Sequence, residues 1–166
     1  ATPTVDEGKV YTVGATGIVQ CLDGQTGKTI WTTDLLPDGE KNLDHGICGS
    51  PLIVDDLLYV CPVSSDDESL RAYDKKTGKL VFNAGGGRAA YSSPTLVEIG
   101  GTPQILAYNS KNLVSYQSKT GAILWSHPWE NKTNTNVSQP IPYRDDKENI
   151  FLSTGYDKGS TLLWVR

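Results

Sequence analysis

Three polar side chains stand six residues before a proline, namely His45 before Pro51, Arg88 before Pro94 and Asn134 before Pro140. If the fold brings them together, they would bind a small polar or anionic ligand, with Arg88 as the charged anchor. Tyr91, three residues before its proline, is a fourth candidate. The alternative is that these groups cap strand ends and bind water. Their function therefore depends on the fold that places them.

The sequence contains no recognisable catalytic or metal-binding constellation. Its acidic clusters, at residues 66–68 and 145–148, are predicted to lie in solvated turns. The glycine run 85–87 lacks the spacing and the following helix of a phosphate-binding loop, and it predicts a flexible connection. The two histidines, His45 and His127, belong to different connecting segments. We therefore predict no catalytic residue and no metal site in this chain.

A hairpin with the same ending occurs three times, as LDGQTGKTIW, YDKKTGKLVF and YQSKTGAILW. Each copy has a Thr-Gly turn with an aromatic residue four positions after the glycine, in the pairs Gly27 and Trp31, Gly78 and Phe82, and Gly121 and Trp125. Glycine suits this turn because it tolerates positive φ. Recurrence at a near-constant spacing predicts a repeat protein.

An aspartate precedes the turn glycine in the first two copies, at Asp23 and Asp74. A carboxylate in this position can accept hydrogen bonds from the turn amides. The third copy has Gln117 instead, and the second has Phe82 where the others have tryptophan. We therefore expect the second and third copies to be slightly weaker than the first.

Four short apolar segments in each repeat predict β-strands, because they are rich in β-branched and aromatic residues and are separated by Gly, Asp, Asn and Pro. The predicted strands are 51–54 and 94–97 (first), 10–13, 58–61, 105–108 and 150–153 (second), 18–22, 70–73 and 113–116 (third), and 29–32, 80–83 and 123–126 (fourth). Four antiparallel strands in about 45 residues are typical of a propeller blade. We predict an all-β fold, a β-propeller of four-stranded antiparallel blades.

Four prolines open the units, which we place at 1–47, 48–90, 91–136 and 137–166 within a single partial propeller domain. The last unit is incomplete, because the sequence stops where its third strand begins. Propellers close with typically four to eight blades, and this chain supplies about three and a half. We interpret it as an arc of a longer chain. The alternative is a half-ring that a partner completes. By analogy with propellers, segments 36–50, 84–93 and 128–139 should run to the mouth of the central channel.

Composition excludes two classes of partner. Hydrophobic residues make up 37% of the chain and charged residues 20%, and no transmembrane segment is present. The net charge is −4, and no basic stripe indicates nucleic-acid binding. Three cysteines, an odd number, favour buried thiols over a disulfide framework, although a Cys48–Cys61 pair stays open.

The motif Leu/Tyr-Asp-x-x-Thr-Gly-x-x-x-Trp resembles the blade motif of quinoprotein-type propellers, whose repeats are named for pyrroloquinoline quinone (PQQ). Segments 1–31, 90–95 and 152–165 are more particularly similar to bacterial PQQ-like repeat proteins, and the resemblance covers essentially the whole chain. The family includes alcohol and glucose dehydrogenases that bind the quinone, and non-enzymatic members such as the lipoprotein BamB. The resemblance implies that Trp31, Phe82 and Trp125 wedge between blades, and that the protein is periplasmic or otherwise extracytoplasmic.

The resemblance leaves two main functions, because a fold does not dictate an activity. Dehydrogenases of the family hold PQQ with calcium, often under a disulfide of adjacent cysteines, and this sequence has no adjacent cysteines. We predict a non-catalytic scaffold that contacts protein partners and the remaining blades of its parent chain, without a cofactor. The alternative is part of a PQQ-dependent dehydrogenase whose PQQ and calcium ligands lie largely outside this chain. A third possibility, a carbohydrate- or polymer-processing protein that uses the channel, has only the aromatic and Asn-rich loop 129–136 in its favour.

Overall fold

The computed structural model describes residues 1–36, 41–62, 67–143 and 149–165, and their regular structure is entirely β. The described residues form fifteen strands: β1 (Thr4–Asp6), β2 (Lys9–Val13), β3 (Ile18–Asp23), β4 (Thr29–Asp34), β5 (Leu52–Val54), β6 (Leu57–Val60), β7 (Leu70–Asp74), β8 (Leu80–Ala84), β9 (Thr95–Ile99), β10 (Thr102–Tyr108), β11 (Asn112–Gln117), β12 (Ile123–Pro128), β13 (Ile141–Pro142), β14 (Asn149–Thr154) and β15 (Gly159–Trp164). This part of the chain has no helix long and apolar enough to cross a membrane.

The strands pair with their sequence neighbours into four antiparallel sheets. Three sheets have four strands, β1–β4, β5–β8 and β9–β12, and the described part of the fourth has three, β13–β15. The predicted fold, a β-propeller of four-stranded antiparallel blades present as a partial ring, is confirmed. Most observed strands extend the predicted segments by one to three residues, because apolar patterning marks the buried centre of a strand better than its ends. The exceptions are β5 and β9, which begin one residue later than predicted, and β6, which begins and ends one residue earlier.

Three hydrophobic cores lie between consecutive sheets. The first contains Tyr11 and Val19 from the first sheet together with Leu58 and Tyr73 from the second. The second joins the next pair of sheets through fully buried residues such as Tyr116. The third joins the last pair of sheets in the same way. Each sheet therefore buries its apolar faces against its neighbours in the ring, and no single central core exists among the described residues.

The fourth strands share one irregularity. In the first sheet Cys21 pairs with Trp31 and Leu22 pairs with Thr29, so Ile30 is an extra residue in β4. The second and third sheets have the same register shift at the same point. A bulge of this kind turns the strand and re-aims the following side chain. It directs the aromatic residue of each repeat toward the following sheet or its core.

Trp31 and Phe82 both contact the turn glycine of the next sheet. Trp31 is half-buried, and its indole Nε1 donates a hydrogen bond to the Lys75 carbonyl at 3.0 Å. A Cβ added to Gly78 would come within 2.6 Å of the Trp31 ring, and one added to Gly121 within 2.5 Å of the Phe82 ring. Glycine at these positions provides both the positive φ and the room for the neighbouring ring.

Trp125 occupies the corresponding place in β12. It is half-buried and packs against the third core. Its indole Nε1 donates to the Gln104 side-chain oxygen at 3.0 Å, within its own sheet. All three aromatic side chains therefore sit beside a core between sheets, each partly exposed because the fourth strand is the outermost of its sheet.

The turn aspartates accept the predicted hydrogen bonds. Asp23 Oδ1 accepts the Thr26 hydroxyl at 2.7 Å and the Thr26 amide at 2.8 Å. Asp74 makes the same contacts with Thr77, both at 2.8 Å. The hydroxyl hydrogen bond, followed by the backbone amide, lowers the pKa of Asp23, and hydrogen bonds from Thr77 lower that of Asp74. Gln117 reproduces the pattern with an uncharged amide oxygen.

The residues just before the opening prolines join neighbouring sheets at the inner rim. The Thr2 amide donates to the Ser50 hydroxyl at 2.7 Å, and the Ser50 amide donates to the Ser93 hydroxyl at 2.9 Å. Ser92 in turn donates to the Ser138 carbonyl at 3.0 Å. This chain of contacts fixes the path of each connecting segment as it enters a new sheet.

The three cysteines are free thiols. Cys21 and Cys61 are buried and Cys48 is exposed, so the structure has no Cys48–Cys61 disulfide. Burial raises the pKa of Cys61 to about 12. Cys61 therefore packs as a small apolar side chain and is protonated at neutral pH.

Candidate functional site

An open cavity of about 740 Å³ lies where the connecting segments meet. Its wall is formed by residues 41–44, 87–91 and 133–135, one stretch from each connecting segment, and by residues 110–111 of the β10–β11 turn. We call it the mouth cavity. The sequence placed all three connecting segments at one end of the ring, and each contributes to this wall.

Three of the four candidate residues line the mouth cavity: Arg88, Tyr91 and Asn134. His45 does not line it, but its ring packs against Tyr91 with 5.8 Å between centroids. Arg88 and Asn134 are exposed, and Tyr91 is half-buried. Of the three residues with equal spacing before a proline, Arg88 and Asn134 therefore share the cavity, whereas His45 contacts it only through Tyr91.

The wall is predominantly cationic. Lys41, Arg88 and Lys111 line the cavity, and Asp44 is the one acidic side chain among the described lining residues. All four side chains are exposed. Within the described ranges, the three cations form no ion pair with an acidic side chain. The cavity therefore presents unneutralised positive charge to solvent.

Hydrogen bonds to the first sheet hold the first segment of the wall. Asn42 Nδ2 donates to the Ala15 carbonyl at 2.8 Å, and the Ile47 amide donates to the same oxygen at 2.9 Å. At the start of the segment, Arg71 Nη1 from the second sheet donates to the Leu35 carbonyl at 2.8 Å. These hydrogen bonds fix the chain at Leu35, just before the segment, and at Asn42 and Ile47 within it.

Arg71 owes its position to Glu68. Its Nη2 lies 2.6 Å from Glu68 Oε2, and its Nε lies 3.1 Å from Oε1. Burial opposes the charge of Arg71, but the hydrogen bonds with Glu68 and Tyr73 keep its pKa above the ordinary value. The prediction that the 66–68 cluster is a solvated turn is wrong for Glu68, which is buried because it pairs with Arg71. Asp66 and residues 145–148 lie outside the described residues.

The glycine run 85–87 lies in the second connecting segment. The prediction that it is a flexible connection is wrong, because hydrogen bonds fix its backbone. Asp67 Oδ1 accepts the amides of Gly86 at 3.0 Å and Gly87 at 3.2 Å. The Tyr116 hydroxyl donates to the Gly85 carbonyl at 2.5 Å. The run is hydrogen-bonded at every residue because its small size lets carboxylate, amide and phenol groups approach the backbone closely. Arg88 follows directly from this fixed run.

Buried Asn131 shapes the third segment. Its Oδ1 accepts the Thr133 and Thr135 amides, each at 3.0 Å, and its Nδ2 donates to the Thr135 carbonyl at 2.6 Å and to Thr154 Oγ1 at 2.8 Å. The loop that it encloses carries Asn134 with φ +54°, in the left-handed region. Asn134 is therefore held at the tip of a compact loop.

Asn136 and Asn109 link the segments to each other. Asn136 is fully buried, and its Nδ2 donates to the Asn109 carbonyl at 2.8 Å, while its own carbonyl accepts the Tyr91 amide at 3.0 Å. Asn109 Nδ2 donates to the Gly86 carbonyl at 2.8 Å. Sequence reasoning missed these buried asparagines, and also Asn131. The signal available was their setting in a loop rich in Ser and Thr, where asparagine side chains bond nearby backbone groups.

The donor set of the mouth cavity does not fit calcium-bound PQQ. Calcium requires several converging oxygen ligands, usually carboxylates. The described wall offers one carboxylate, Asp44, beside three cations. In the described ranges, no group of three or more His, Cys, Asp or Glu side chains could hold a metal ion. The cations would attract an anion by themselves, but the calcium partner of the quinone has no ligand set here.

Comparison with known proteins links this architecture to two groups. A family model described as outer membrane protein assembly factor BamB matches residues 1–162. The quinoprotein ethanol dehydrogenase of Pseudomonas aeruginosa is 26% identical over 140 residues, covering 75% of this chain and 22% of that protein. The outer membrane protein assembly factor BamB of Xanthomonas campestris pv. campestris is 36% identical over 76 residues, covering 43% of this chain and 18% of that protein.

A solved structure shows the same fold. The crystal structure of BamB from Moraxella catarrhalis superposes with a TM-score of 0.69 at 17% sequence identity, covering 98% of this chain and 47% of that one. At this identity the likeness concerns the fold alone. This chain spans less than half the length of each of the three relatives.

Proposed function

This chain belongs to the family described as outer membrane protein assembly factor BamB, and we propose that it acts as a non-catalytic propeller scaffold in the cell envelope. In this role it presents its loops to a protein partner. The family membership supports an extracytoplasmic location, and the matches to assembly factors support a role in protein assembly.

The observation that carries this proposal is the construction of the mouth cavity. Its charged side chains are exposed, and its wall combines loops from three sheets. The loops are held by the buried side chains of Asn131 and Asn136 and by the exposed carboxylate of Asp67. Rigidly supported loops with exposed polar side chains are typical of recognition surfaces on a scaffold fold.

A second candidate is a quinoprotein dehydrogenase, and one observation favours it. The P. aeruginosa quinoprotein ethanol dehydrogenase matches 75% of this chain, more than the 43% matched by the X. campestris BamB. Under this alternative the ligands of PQQ and calcium would come largely from residues outside this chain.

Photo-cross-linking in the cells that produce the protein tests the scaffold proposal. A photo-reactive amino acid replaces Lys111 in one variant and Lys119 in a matched control. Both lysines are exposed, and they lie in the turns at opposite ends of β11, so only Lys111 faces the mouth cavity. We expect a discrete adduct with one envelope protein from position 111 and none from position 119. Adducts from neither position, or from both equally, contradict the proposal.

Calorimetry with PQQ distinguishes the dehydrogenase. The whole protein is titrated with PQQ in the presence and in the absence of calcium, and dye-linked oxidation of alcohols and sugars is measured in parallel. The scaffold proposal predicts no calcium-dependent binding at micromolar PQQ and no oxidation. Tight, calcium-dependent binding with alcohol oxidation establishes the alternative.

A further inference from the structure

We propose that the mouth cavity binds an extended acidic segment of the partner protein, rich in Asp or Glu side chains. This inference rests on the proposed scaffold function and specifies the chemistry of the partner. It is carried by the charge of the cavity wall, by its size and by the exposure of its side chains.

The charge of the wall is opposite to that of the chain as a whole. The chain has a net charge of −4. The described wall nevertheless gathers Lys41, Arg88 and Lys111 from three different segments, against Asp44 alone. Cations from separate loops placed around one concavity focus a positive potential there, which attracts acidic ligands and speeds their association.

Arg88 has the geometry to recognise a carboxylate. Its guanidinium can bind both oxygens of one carboxylate side chain through two parallel hydrogen bonds. The Arg88 carbonyl accepts the Ser110 amide at 3.0 Å, so the backbone that carries the guanidinium is fixed against the turn that carries Lys111. The backbone of Arg88 is therefore joined directly to the turn that carries Lys111, and both cations line the same cavity.

The size and openness of the cavity favour a peptide over a small molecule. A volume of about 740 Å³ lies in the ordinary range for ligand sites, about 300–1,000 Å³. Sites for small molecules usually bury most of the ligand, whereas all three cations here are exposed. An extended segment can contact all three loops and continue beyond the rim. Half-buried Tyr91, whose ring packs against His45, provides an apolar contact for the bound segment.

Fluorescence anisotropy with a labelled hexaglutamate peptide tests the inference on the whole protein. We expect saturable binding that weakens steeply as salt rises from about 0.05 to 0.3 M, because screening shortens the range of charge attraction. The double variant R88E/K111E should bind about tenfold more weakly or worse. The control K119E, with one reversed charge at the opposite end of β11, should bind as the parent does. R88Q/K111Q, which removes charge without reversing it, should give an intermediate loss and guards against misfolding.

Three results would overturn the inference. The first is equal binding of hexaglutamate by the parent and by R88E/K111E, both shown to be folded by circular dichroism. The second is equally tight binding of hexalysine. The third is competition by free glutamate at the concentration at which the peptide competes, which would assign the cavity to a small carboxylate. None of these results depends on PQQ, so they are distinguishable from a failure of the scaffold proposal.

Discussion

The indole ring of Trp31 lies against the α-carbon of Gly78 in the next sheet, so closely that a Cβ on Gly78 would come within 2.6 Å of the ring. Phe82 stands in the same relationship to Gly121. Gly27 has the same positive φ as these two glycines, but a Cβ there would meet nothing within 4 Å. All three turns therefore require a positive φ at the glycine, but only Gly78 and Gly121 must also leave space for an aromatic ring.

We expect Gly27→Ala to be much milder than Gly78→Ala or Gly121→Ala. The first change lowers the free energy of unfolding only by the penalty that alanine incurs in a left-handed conformation, about 1–2 kcal/mol. The other two also force a ring out of place, which adds about 1–3 kcal/mol of overpacking. Urea unfolding of the three variants measures the difference. A Trp31→Ala/Gly78→Ala double variant should be less destabilised than the sum of its single variants, because the clash is gone. Equal costs at all three glycines would refute the assigned role of the rings.

Trp31→Ala should destabilise the protein far more than Arg88→Ala. Loss of a tryptophan from a core costs about 3–5 kcal/mol, and partial exposure places Trp31 at the lower end of that range. Exposed Arg88 should change stability by less than about 0.5 kcal/mol. Denaturant midpoints of both variants provide the measurement. Indistinguishable midpoints would show that Arg88 has a structural role or that Trp31 lacks one.

The sequence was sufficient to predict the blades because each blade repeats one local pattern. The spacing from Gly27 to Trp31, and its two copies, fixed the turn and the outer strand together. The contact between Trp31 and Gly78 could not be read from this pattern. The two residues lie in different repeats, and their approach depends on the packing of two whole sheets.

Removal of the Asn136 side chain should destabilise the loops around the mouth cavity. Asn136→Ala leaves the buried Asn109 carbonyl without its amide donor, which costs about 1–3 kcal/mol. Asn134→Gly is the matched control in the same loop. The Asn134 side chain is exposed, and its backbone has a left-handed conformation that glycine adopts freely. No destabilisation is therefore expected. Hydrogen exchange of the Tyr91 amide, which bonds the Asn136 carbonyl, reports the local effect. Unchanged exchange in Asn136→Ala would contradict this role.

Stability should fall on acidification because the turn aspartates have lowered pKa values. The Thr26 hydroxyl bond holds the pKa of Asp23 below its usual value, and Thr77 does so for Asp74. An unfolded chain then binds more protons than the folded one below about pH 4, so the contribution is present above that value and lost as pH falls. The Asp23→Asn/Asp74→Asn variant should fold, as Gln117 indicates, with a flatter pH dependence of unfolding between about pH 5 and 3. A parallel pH profile for variant and parent would refute this.

The sequence singled out three residues that line the mouth cavity, but not the buried side chains that hold its loops in place. Arg88 and Asn134 were singled out because each lies six residues before a proline, and Tyr91 because it lies three residues before Pro94; all three line the mouth cavity. The charge of the wall did not follow, because Lys111 enters from a strand turn and not from a connecting segment. Asn131 went unrecognised for a different reason: burial of a polar side chain depends on partners that only the fold supplies.

The contact between an aromatic residue and the next turn glycine runs one way along the chain, from Trp31 forward to Gly78 and from Phe82 forward to Gly121. The interlocking unit is therefore offset from the blade itself: it begins at the last strand of one blade and ends at the last turn of the following one. A blade transplanted into another propeller by its own strand limits would leave one ring without its glycine and one glycine without its ring. Exchange of modules among such proteins should succeed when the cut is placed before the outer strand of the preceding blade.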